Sequence, residues 1–255
     1  MRKLVKVVVP VYKDFFGELE EKSLEQCCKV LGNYDIVLIH PEGLDLDYII
    51  QKHQNIQTKS FSSHYFSSIY GYNELLLSSF FYEQFLDSEY ILIYQLDAFV
   101  FKDELTSWCL KGYDYIGSPW LASSPTLISK IGSIFKSKKK KTREQIFFKV
   151  GNGGFSLRKT DSHYAISKNQ EAYITELIRE IDKKLFAIED VFWSMKAVEF
   201  DYNFKIPDYK EAVFFSLDRK PAIGLKLTND VLPFGCHGIN KPKVIDFWRP
   251  ILNKY

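Results

Sequence analysis

The sequence lacks the features that mark nucleic-acid-binding, membrane-spanning and disulfide-stabilised proteins. Its formal net charge is only +2 over 255 residues, which is too small to indicate binding to a nucleic-acid backbone. No run of 18 apolar residues occurs, so we expect no membrane-spanning helix. The 4 cysteines have no Cys-x-x-Cys spacing, and we expect free thiols in a reducing compartment.

A secretory signal peptide is also missing from the start of the sequence. Met1-Arg2-Lys3 leads directly into a β-branched run, without the length or the small-residue cleavage site of a signal peptide. We therefore expect a cytoplasmic protein. The basic segment Lys136–Arg143 is typical of a solvated surface. The functional alternatives are an active-site lid or a patch that binds a pyrophosphate-bearing acceptor or the inner face of a membrane.

What the sequence does contain is a regular alternation of strand and helix patterns in its first half. Such an order predicts an α/β fold with a mainly parallel central sheet flanked by helices. The predicted strands are Leu4–Val9, Tyr34–His40, Ile56–Phe61 and Tyr90–Val100, and the predicted helices are Phe15–Leu31, Leu46–His53 and Tyr72–Leu86. Aromatic residues make up 16% of the chain, and they either fill the core or line a cleft.

The second half of the sequence is less regular. It predicts strands at Tyr113–Gly117 and Val150–Arg158, helices at Asn169–Asp182 and Ile188–Val198, and an irregular tail from Phe234. No internal repeat and no linker is present, so we predict a single domain over residues 1–255. Its halves are about 1–110 and 111–255.

Polar residues follow three of the predicted strands, where ligands of open parallel sheets bind. Tyr12 and Lys13 follow the first strand, His40 ends the second, and Asp97 lies near the end of the fourth. A carboxylate beside so apolar a strand costs free energy unless it is paired or binds a metal ion. The alternative is that Asp97 caps the following turn.

Three further segments carry candidate functional residues. Gly151, Gly153 and Gly154 interrupt a strand pattern, which indicates the close approach of a ligand or of another backbone. The pair Glu189-Asp190 opens a helix pattern, where acids also favour the helix dipole. His237, followed four residues later by Lys241, suits a metal ligand and a phosphate contact, although a lone His is more often structural.

Together and in this order, these segments resemble the GT-A glycosyltransferases. The motifs are Tyr-Gln-Leu-Asp-Ala-Phe, Tyr-Asp-Tyr-Ile-Gly-Ser-Pro-Trp, Gly-Asn-Gly-Gly-Phe-Ser-Leu-Arg, Glu-Asp-x-Phe-Trp and Pro-Phe-Gly-Cys-His-Gly. The full set is similar to a largely bacterial and fungal family of glycosyltransferase-like domains of unknown function. The resemblance extends from about residue 5 to residue 250. It implies one GT-A domain with a nucleotide-sugar-binding first half and an irregular catalytic and acceptor-binding second half.

The resemblance implies a divalent cation, Mn²⁺ or Mg²⁺, bound by Asp97 and His237 beside the donor diphosphate. In GT-A enzymes an Asp-x-Asp motif holds this ion, and Asp97 matches its first position. Phe99 occupies the second position, and a phenyl ring cannot ligate the ion. Lys241 is similar to the phosphate-binding lysine of the glycogenin-like enzymes. In the alternative without a metal, Asp97 contacts the donor sugar or ribose, and Lys241 neutralises the leaving group.

The resemblance also assigns roles to the remaining candidates. Asp190 is the expected catalytic base of an inverting enzyme, and Glu189 is the second candidate. Pro10, Tyr12 and His40 would border the nucleotide, Gly153 and Gly154 the sugar and acceptor, and Trp120 would form the acceptor platform. The expected donor is a UDP-sugar, and the acceptor is a glycan, glycolipid or glycoprotein such as those of bacterial surface polysaccharide.

Two other functions remain open from the sequence. A sugar nucleotidyltransferase shares this fold, but it usually carries a Gly-rich signature near the first strand that Val9–Lys13 lacks. A catalytically inactive binding protein of the same fold is favoured only by Phe99 at the second acidic position.

Overall fold

The computed structural model describes residues 2–53, 56–122, 144–180 and 185–255. The basic segment Lys136–Arg143, predicted to be a solvated surface, a lid or an anion-binding patch, lies outside these ranges. In the described ranges, no helix combines the length and the apolar character needed to cross a membrane. All four cysteines are free thiols, as predicted.

The molecule contains a central sheet of six strands. Across the sheet, the strands follow the order Ile56–Phe61, Asp35–Pro41, Lys3–Pro10, Ser88–Tyr94, Phe155–Lys159 and Tyr115–Ile116. Four of these strands run parallel: β1 (Lys3–Pro10), β2 (Asp35–Pro41), β3 (Ile56–Phe61) and β4 (Ser88–Tyr94). Val7, at the centre of β1, is paired with Ile36 on one side and with Leu92 on the other. These strands read as apolar runs because helices cover both faces of the sheet. The predicted α/β fold with a mainly parallel sheet is confirmed.

The remaining strands of this sheet come from the second half of the chain. β7 (Phe155–Lys159) runs antiparallel to β4, and β6 (Tyr115–Ile116) runs antiparallel to β7. The two halves therefore share one sheet, and the carboxyl end of β4 lies beside the start of β7, where Tyr94 pairs with Phe155. This pairing places the glycine-rich segment next to Gln95–Asp97.

A second, three-stranded sheet has the order β5-β9-β8, with β5 at Ala98–Val100, β8 at Ser216–Leu217 and β9 at Gly235–His237. The sequence predicted one strand over Tyr90–Val100. The structure instead divides it into β4 and β5, because the chain turns at Gln95 and the Ala98 N–H donates to the Gln95 carbonyl at 2.8 Å. Asp97 therefore lies in a turn between two sheets.

Two of the predicted helices are also interrupted in the structure. The single helix predicted over Tyr72–Leu86 is two helices that meet at Ser78, whose hydroxyl accepts from the Phe81 N–H at 3.2 Å. The predicted helix Ile188–Val198 contains a π-helical turn, Phe192–Lys196. The helices are Glu18–Leu31, Asp47–Lys52, Ile69–Leu77, Ser79–Glu83, Leu105–Leu110, Thr160–Asn169, Glu171–Arg179, Glu189–Val191, Ala197–Phe200, Tyr209–Phe215, Pro221–Leu227 and Ile245–Leu252, with short 3₁₀ turns at Ser63–Phe66 and Leu185–Ala187.

Alternate residues of the central strands enter different cores. On β4, Leu92 belongs to the core that contains helix Glu18–Leu31, whereas Ile91 and Ile93 belong to the core that contains helix Ile69–Leu77. A third cluster, which includes Phe99 and Trp248, lies between the second sheet and the C-terminal helix. The irregular tail predicted from Phe234 is thus a strand and a helix with their own apolar core.

Replacing Leu92 by Ala tests the central core. Leu92 is fully buried between β1 and β7, so we expect a loss of about 2–5 kcal/mol in the free energy of unfolding. Urea denaturation measures this loss. Leu110→Ala is the control, because Leu110 is 75% exposed and its loss should stay within about 0.5 kcal/mol. Equal losses in the two variants would contradict the assignment of Leu92 to the core.

Candidate active site

The pairing of β5 with β9 brings His237 to the turn that carries Asp97. Ala98 is the register partner of His237, and the His237 Nε2 lies 2.9 Å from the Asp97 Oδ1. The same nitrogen lies 3.1 Å from the Gln95 Oε1. Phe99, in contrast, is fully buried among aromatic side chains of the third cluster. The residue that accompanies Asp97 at the histidine is therefore Gln95, and Phe99 has no part in this site.

A second carboxylate, Asp218, lies on the other side of the imidazole. Its Oδ1 is 3.7 Å from the His237 Nδ1 and accepts a hydrogen bond from the Lys241 Nζ at 2.8 Å. Its Oδ2 accepts from the Asn152 Nδ2 at 2.6 Å. We call Gln95, Asp97, Asp218, His237 and Lys241 the histidine centre. Asp218 was not identified from the sequence, because Leu217-Asp218-Arg219 has the composition of an ordinary surface turn.

The charges of the histidine centre stabilise the ionised form of Asp97. Burial of this carboxyl group would by itself raise its pKa, but the attraction and hydrogen bond of His237, with the attraction of Lys241, lower the pKa of Asp97 below its ordinary value. Asp97 is therefore an anion at neutral pH, as either a metal ligand or an ion-pair partner of His237 requires.

A cleft of about 400 Å³ opens on the Asp97 side of the histidine centre. It lies at the carboxyl ends of β1 and β4, where Pro10, Tyr12, Gln95 and Asp97 line it. Its other walls are Val11, Lys13, Phe16, Glu20, Phe66, Ser68, Ile69, Tyr72, Leu96 and Asn240. We call this the first cleft. The structure places Pro10 and Tyr12 in this cleft, but His40 does not line it, and the His40 Nδ1 lies 3.0 Å from the Pro41 carbonyl oxygen instead.

The glycine-rich segment lies between the first cleft and the second half of the molecule. The sequence predicted a strand over Val150–Arg158, but the glycines precede β7 and are buried. A Cβ on Gly151 would lie 1.8 Å from the Trp120 ring, one on Gly153 1.8 Å from the Glu189 Oε1, and one on Gly154 2.0 Å from the His237 Nε2. These glycines make room for side chains of the protein itself.

Glu189 is held by a buried ion pair. The Arg158 Nη2 donates to the Glu189 Oε1 at 3.2 Å and lies 3.1 Å from its Oε2, and both side chains are almost completely buried. The Arg158 guanidinium also donates to Ser156 and Tyr82. Burial raises the pKa of Glu189 to about 7, although Arg158 opposes this shift. Glu189 lies behind Gly153, and the second cleft described below is lined by Asp190 and not by Glu189.

Asp190 lines a second cleft of about 380 Å³ together with Asp218. The Asp190 Oδ1 has no hydrogen-bond partner within the described residues. Burial raises the pKa of Asp190, and backbone hydrogen bonds with the charges of Arg158 and His237 oppose this rise. The remaining walls are the charged Arg219 and Lys220 and the apolar Pro119, Trp120, Leu121, Ile146, Phe147, Leu185, Ile188 and Val191. The histidine centre thus borders both clefts, with Asp97 on the first and Asp218 on the second.

Donor atoms for a divalent cation converge at the histidine centre. The His237 Nε2, the Asp97 Oδ1 and the Gln95 Oε1 are an imidazole nitrogen, a carboxylate oxygen and an amide oxygen, which Mn²⁺ and Mg²⁺ accept as ligands. Within the described ranges, no group of three His, Cys, Asp or Glu side chains could hold a metal ion. A cation at the histidine centre would therefore have the Gln95 amide oxygen as its third protein ligand, and oxygens of a bound ligand would complete its coordination.

The described structure has the fold of the GT-A glycosyltransferases. The structure is similar to apo mouse xyloside xylosyltransferase 1, with a TM-score of 0.55, 11% identity, and coverage of 92% of this chain and 98% of that chain. It is also similar to the glycosyltransferase GlyE of Streptococcus pneumoniae TIGR4, with a TM-score of 0.52, 14% identity, and coverage of 99% of this chain. This chain matches only 63% of the length of GlyE.

The family is shown by the sequence itself. The family model described as "Protein of unknown function (DUF5672)" matches residues 55–237, well over half of the chain, so the protein belongs to that family. A search of the curated proteins found no match. The matched range contains Asp97, the glycine-rich segment, Asp190 and His237.

Replacing Gly154 by Ala tests the close packing behind His237. The added Cβ would lie 2.0 Å from the His237 Nε2 and 2.6 Å from the Gln95 Oε1, and β9 cannot shift without leaving β5. We expect a loss of about 1–3 kcal/mol in the free energy of unfolding, measured by urea denaturation. In the control Gly17→Ala, the new Cβ would meet only the Glu20 Oε2 at 3.5 Å. A loss no larger than that of the control would contradict the packing.

Proposed function

We propose that this protein is a glycosyltransferase that moves a sugar from a nucleoside-diphosphate donor to a hydroxyl group of a glycan or glycoconjugate. The observation that carries this proposal is the position of Asp190. Its carboxylate lines the second cleft, while Asp97 lines the first, and the histidine centre lies between them. A donor in the first cleft and an acceptor in the second would meet at this centre.

The first cleft has the lining that a nucleotide sugar requires. The rings of Tyr12, Phe16, Phe66 and Tyr72 offer flat apolar surfaces to a nucleobase, and the position at the carboxyl ends of parallel strands is where such folds bind nucleotides. The histidine centre supplies charge for the diphosphate through Lys241. A UDP-sugar is the donor that we favour.

The proposed reaction inverts the anomeric centre. Asp190 accepts the proton of the acceptor hydroxyl as its oxygen attacks the anomeric carbon of the donor sugar. The bond between that carbon and the diphosphate oxygen breaks, and the diphosphate leaves with the electron pair. Asp190 suits the base because one of its oxygens has no hydrogen-bond partner in the described structure and its raised pKa makes it a better proton acceptor than an ordinary Asp.

A divalent cation is the proposed cofactor. Asp97, His237 and the Gln95 amide would hold it, and the ion would supply positive charge beside the leaving diphosphate. Lys241 carries a permanent positive charge at the same centre and would assist the departure of the leaving group.

Thermal denaturation with nucleotides tests the donor site. We expect UDP with Mn²⁺ to raise the melting temperature by roughly 5–10 °C at 100 times its dissociation constant, and UDP without Mn²⁺ to raise it less. ADP and GDP serve as base controls. Asp97→Asn should remove the Mn²⁺-dependent part, whereas Asp246→Asn, at a carboxylate whose side chain is 87% exposed, should not. If the rise in melting temperature with UDP is the same with and without Mn²⁺, and the same in Asp97→Asn as in the wild type, the proposed metal site is refuted.

Asp190→Asn tests the catalytic base. We expect the rate of sugar transfer, or of donor hydrolysis, to fall by about 10²–10⁴-fold, because general-base catalysis is lost. The base must be unprotonated, so wild-type kcat/KM should fall as the pH drops through a pKa above the ordinary Asp value, in line with the raised pKa of Asp190. The control is again Asp246→Asn. If the wild type and Asp190→Asn are equally inert with every nucleotide sugar, the inactive binding protein becomes the better description.

A further inference from the structure

The second cleft changes in character from its floor to its rim. The Asp218 side chain is only 3% exposed and lies beside His237. By contrast, Phe147 is 38% exposed and Ile188 is 40% exposed, so these apolar groups face solvent at the rim. A bound molecule would therefore meet carboxylates where the cleft adjoins the histidine centre. Where the cleft opens, it would meet the apolar Phe147 and Ile188 on one part of the rim and Arg219, whose side chain is 72% exposed, on another.

The aromatic part of this rim is held in place by a strained turn. Phe148 has φ = 62°, a backbone conformation that costs a bulky residue about 1–3 kcal/mol, and its N–H donates to the Trp120 carbonyl at 2.9 Å. The Phe148 ring packs on Tyr209 at 5.0 Å between centroids, while the adjacent Phe147 ring lines the cleft with Lys220 Nζ 6.0 Å from its centroid. The turn thus directs two neighbouring rings to different places and keeps Phe147 at the rim.

A free sugar does not match the aliphatic part of this rim. Sugar hydroxyl groups that lie against Ile188, Leu185 and Ile146 would lose hydrogen bonds to water without forming new ones. Burial of a hydrocarbon group against the same side chains is favourable. Trp120, deeper in the cleft against Gly151, can stack on the C–H face of a sugar ring. The order from floor to rim is then carboxylate, aromatic ring and aliphatic surface.

We propose that the second cleft binds a glycoside with a hydrocarbon aglycone, with its sugar hydroxyl at Asp190 and its aglycone against Phe147 and Ile188. This inference rests on the proposed function for the identity of the site as the acceptor site. It also rests on the contacts of His237 with Asp218, which lines this cleft, and with Asp97, which lines the first cleft. It narrows the acceptor from any glycan to a sugar carried on an apolar group.

Two glycosides that carry the same sugar and differ only in the aglycone test whether the aglycone contributes to binding. Methyl β-D-glucopyranoside and hexyl β-D-glucopyranoside are titrated into the full chain below the concentration at which the hexyl compound forms micelles. Binding is followed by NMR through the indole N–H signal of Trp120, which is assigned with Trp120→Phe. We expect the hexyl glycoside to bind at least tenfold more tightly than the methyl glycoside.

A matched pair of variants tests whether the preference for the hexyl glycoside over the methyl glycoside arises in the second cleft. Ile188→Ser should reduce it to less than threefold, and Val198→Ser should leave it unchanged, because Val198 is also 40% exposed but does not line the cleft. Ile188 is the N-cap residue of helix Glu189–Val191, where Ser is favourable, so the variant should fold.

Equal affinities for the two glycosides, or an equal effect of both substitutions, would overturn the inference. A failure of the proposed function would look different. Nucleotides would then not raise the melting temperature and no sugar would be transferred, but the preference for the hexyl glycoside and its loss in Ile188→Ser would persist.

Discussion

The geometry of the candidate site depends on the buried ion pair between Arg158 and Glu189. Arg158 is fixed on β7, and Glu189 opens the helix that carries Asp190, so the pair joins the central sheet to the wall of the second cleft. Removal of either side chain by substitution would leave the other buried without its partner, at a cost of about 3–5 kcal/mol. The Glu189 N–H also donates to the Asn73 Oδ1 at 2.7 Å, on the helix whose first residue, Ile69, lines the first cleft. The ion pair and this hydrogen bond together connect the central sheet to elements that line both clefts.

The glycine-rich segment shows why this arrangement needs an unusual sequence. Three side chains from distant parts of the chain, Trp120, Glu189 and His237, pack where a Cβ of the segment would otherwise lie. A backbone without side chains lets an aromatic ring, a structural carboxylate and a proposed metal ligand approach one short stretch. Glycine inside a strand pattern can indicate two things: a ligand approaches the backbone closely, or side chains of the protein itself do. The structure shows the second of these.

The parallel half of the fold could be predicted because its signals are local. β3 has the bounds predicted from its sequence, Ile56–Phe61, and β1 and β2 differ by one residue at each end. The turn at Gln95 could not be predicted, because the residues before and after it are equally apolar and only pairing with β9 shows that the strand has ended. Asp218 was missed for a related reason. It follows a strand of two residues whose partner, β9, is held by contacts that are distant in the sequence. The order of the motifs predicted a candidate site, but which side chains meet within it depends on those distant pairings.

The charge of the histidine centre explains why an amide, Gln95, suits the position beside Asp97 and His237. The centre contains two carboxylates, Asp97 and Asp218, and one permanent cation, Lys241, which already pairs with Asp218. A third carboxylate at position 95 would repel Asp97 across the imidazole, whereas an amide supplies an oxygen without charge. A divalent ion bound here would change the net charge of the histidine centre from negative to positive. An anionic ligand such as a diphosphate would then neutralise it, so the ion and the diphosphate would each increase the affinity for the other by the same factor. A centre with few acids is thus suited to an ion that arrives with its nucleotide, and less suited to one that stays bound alone.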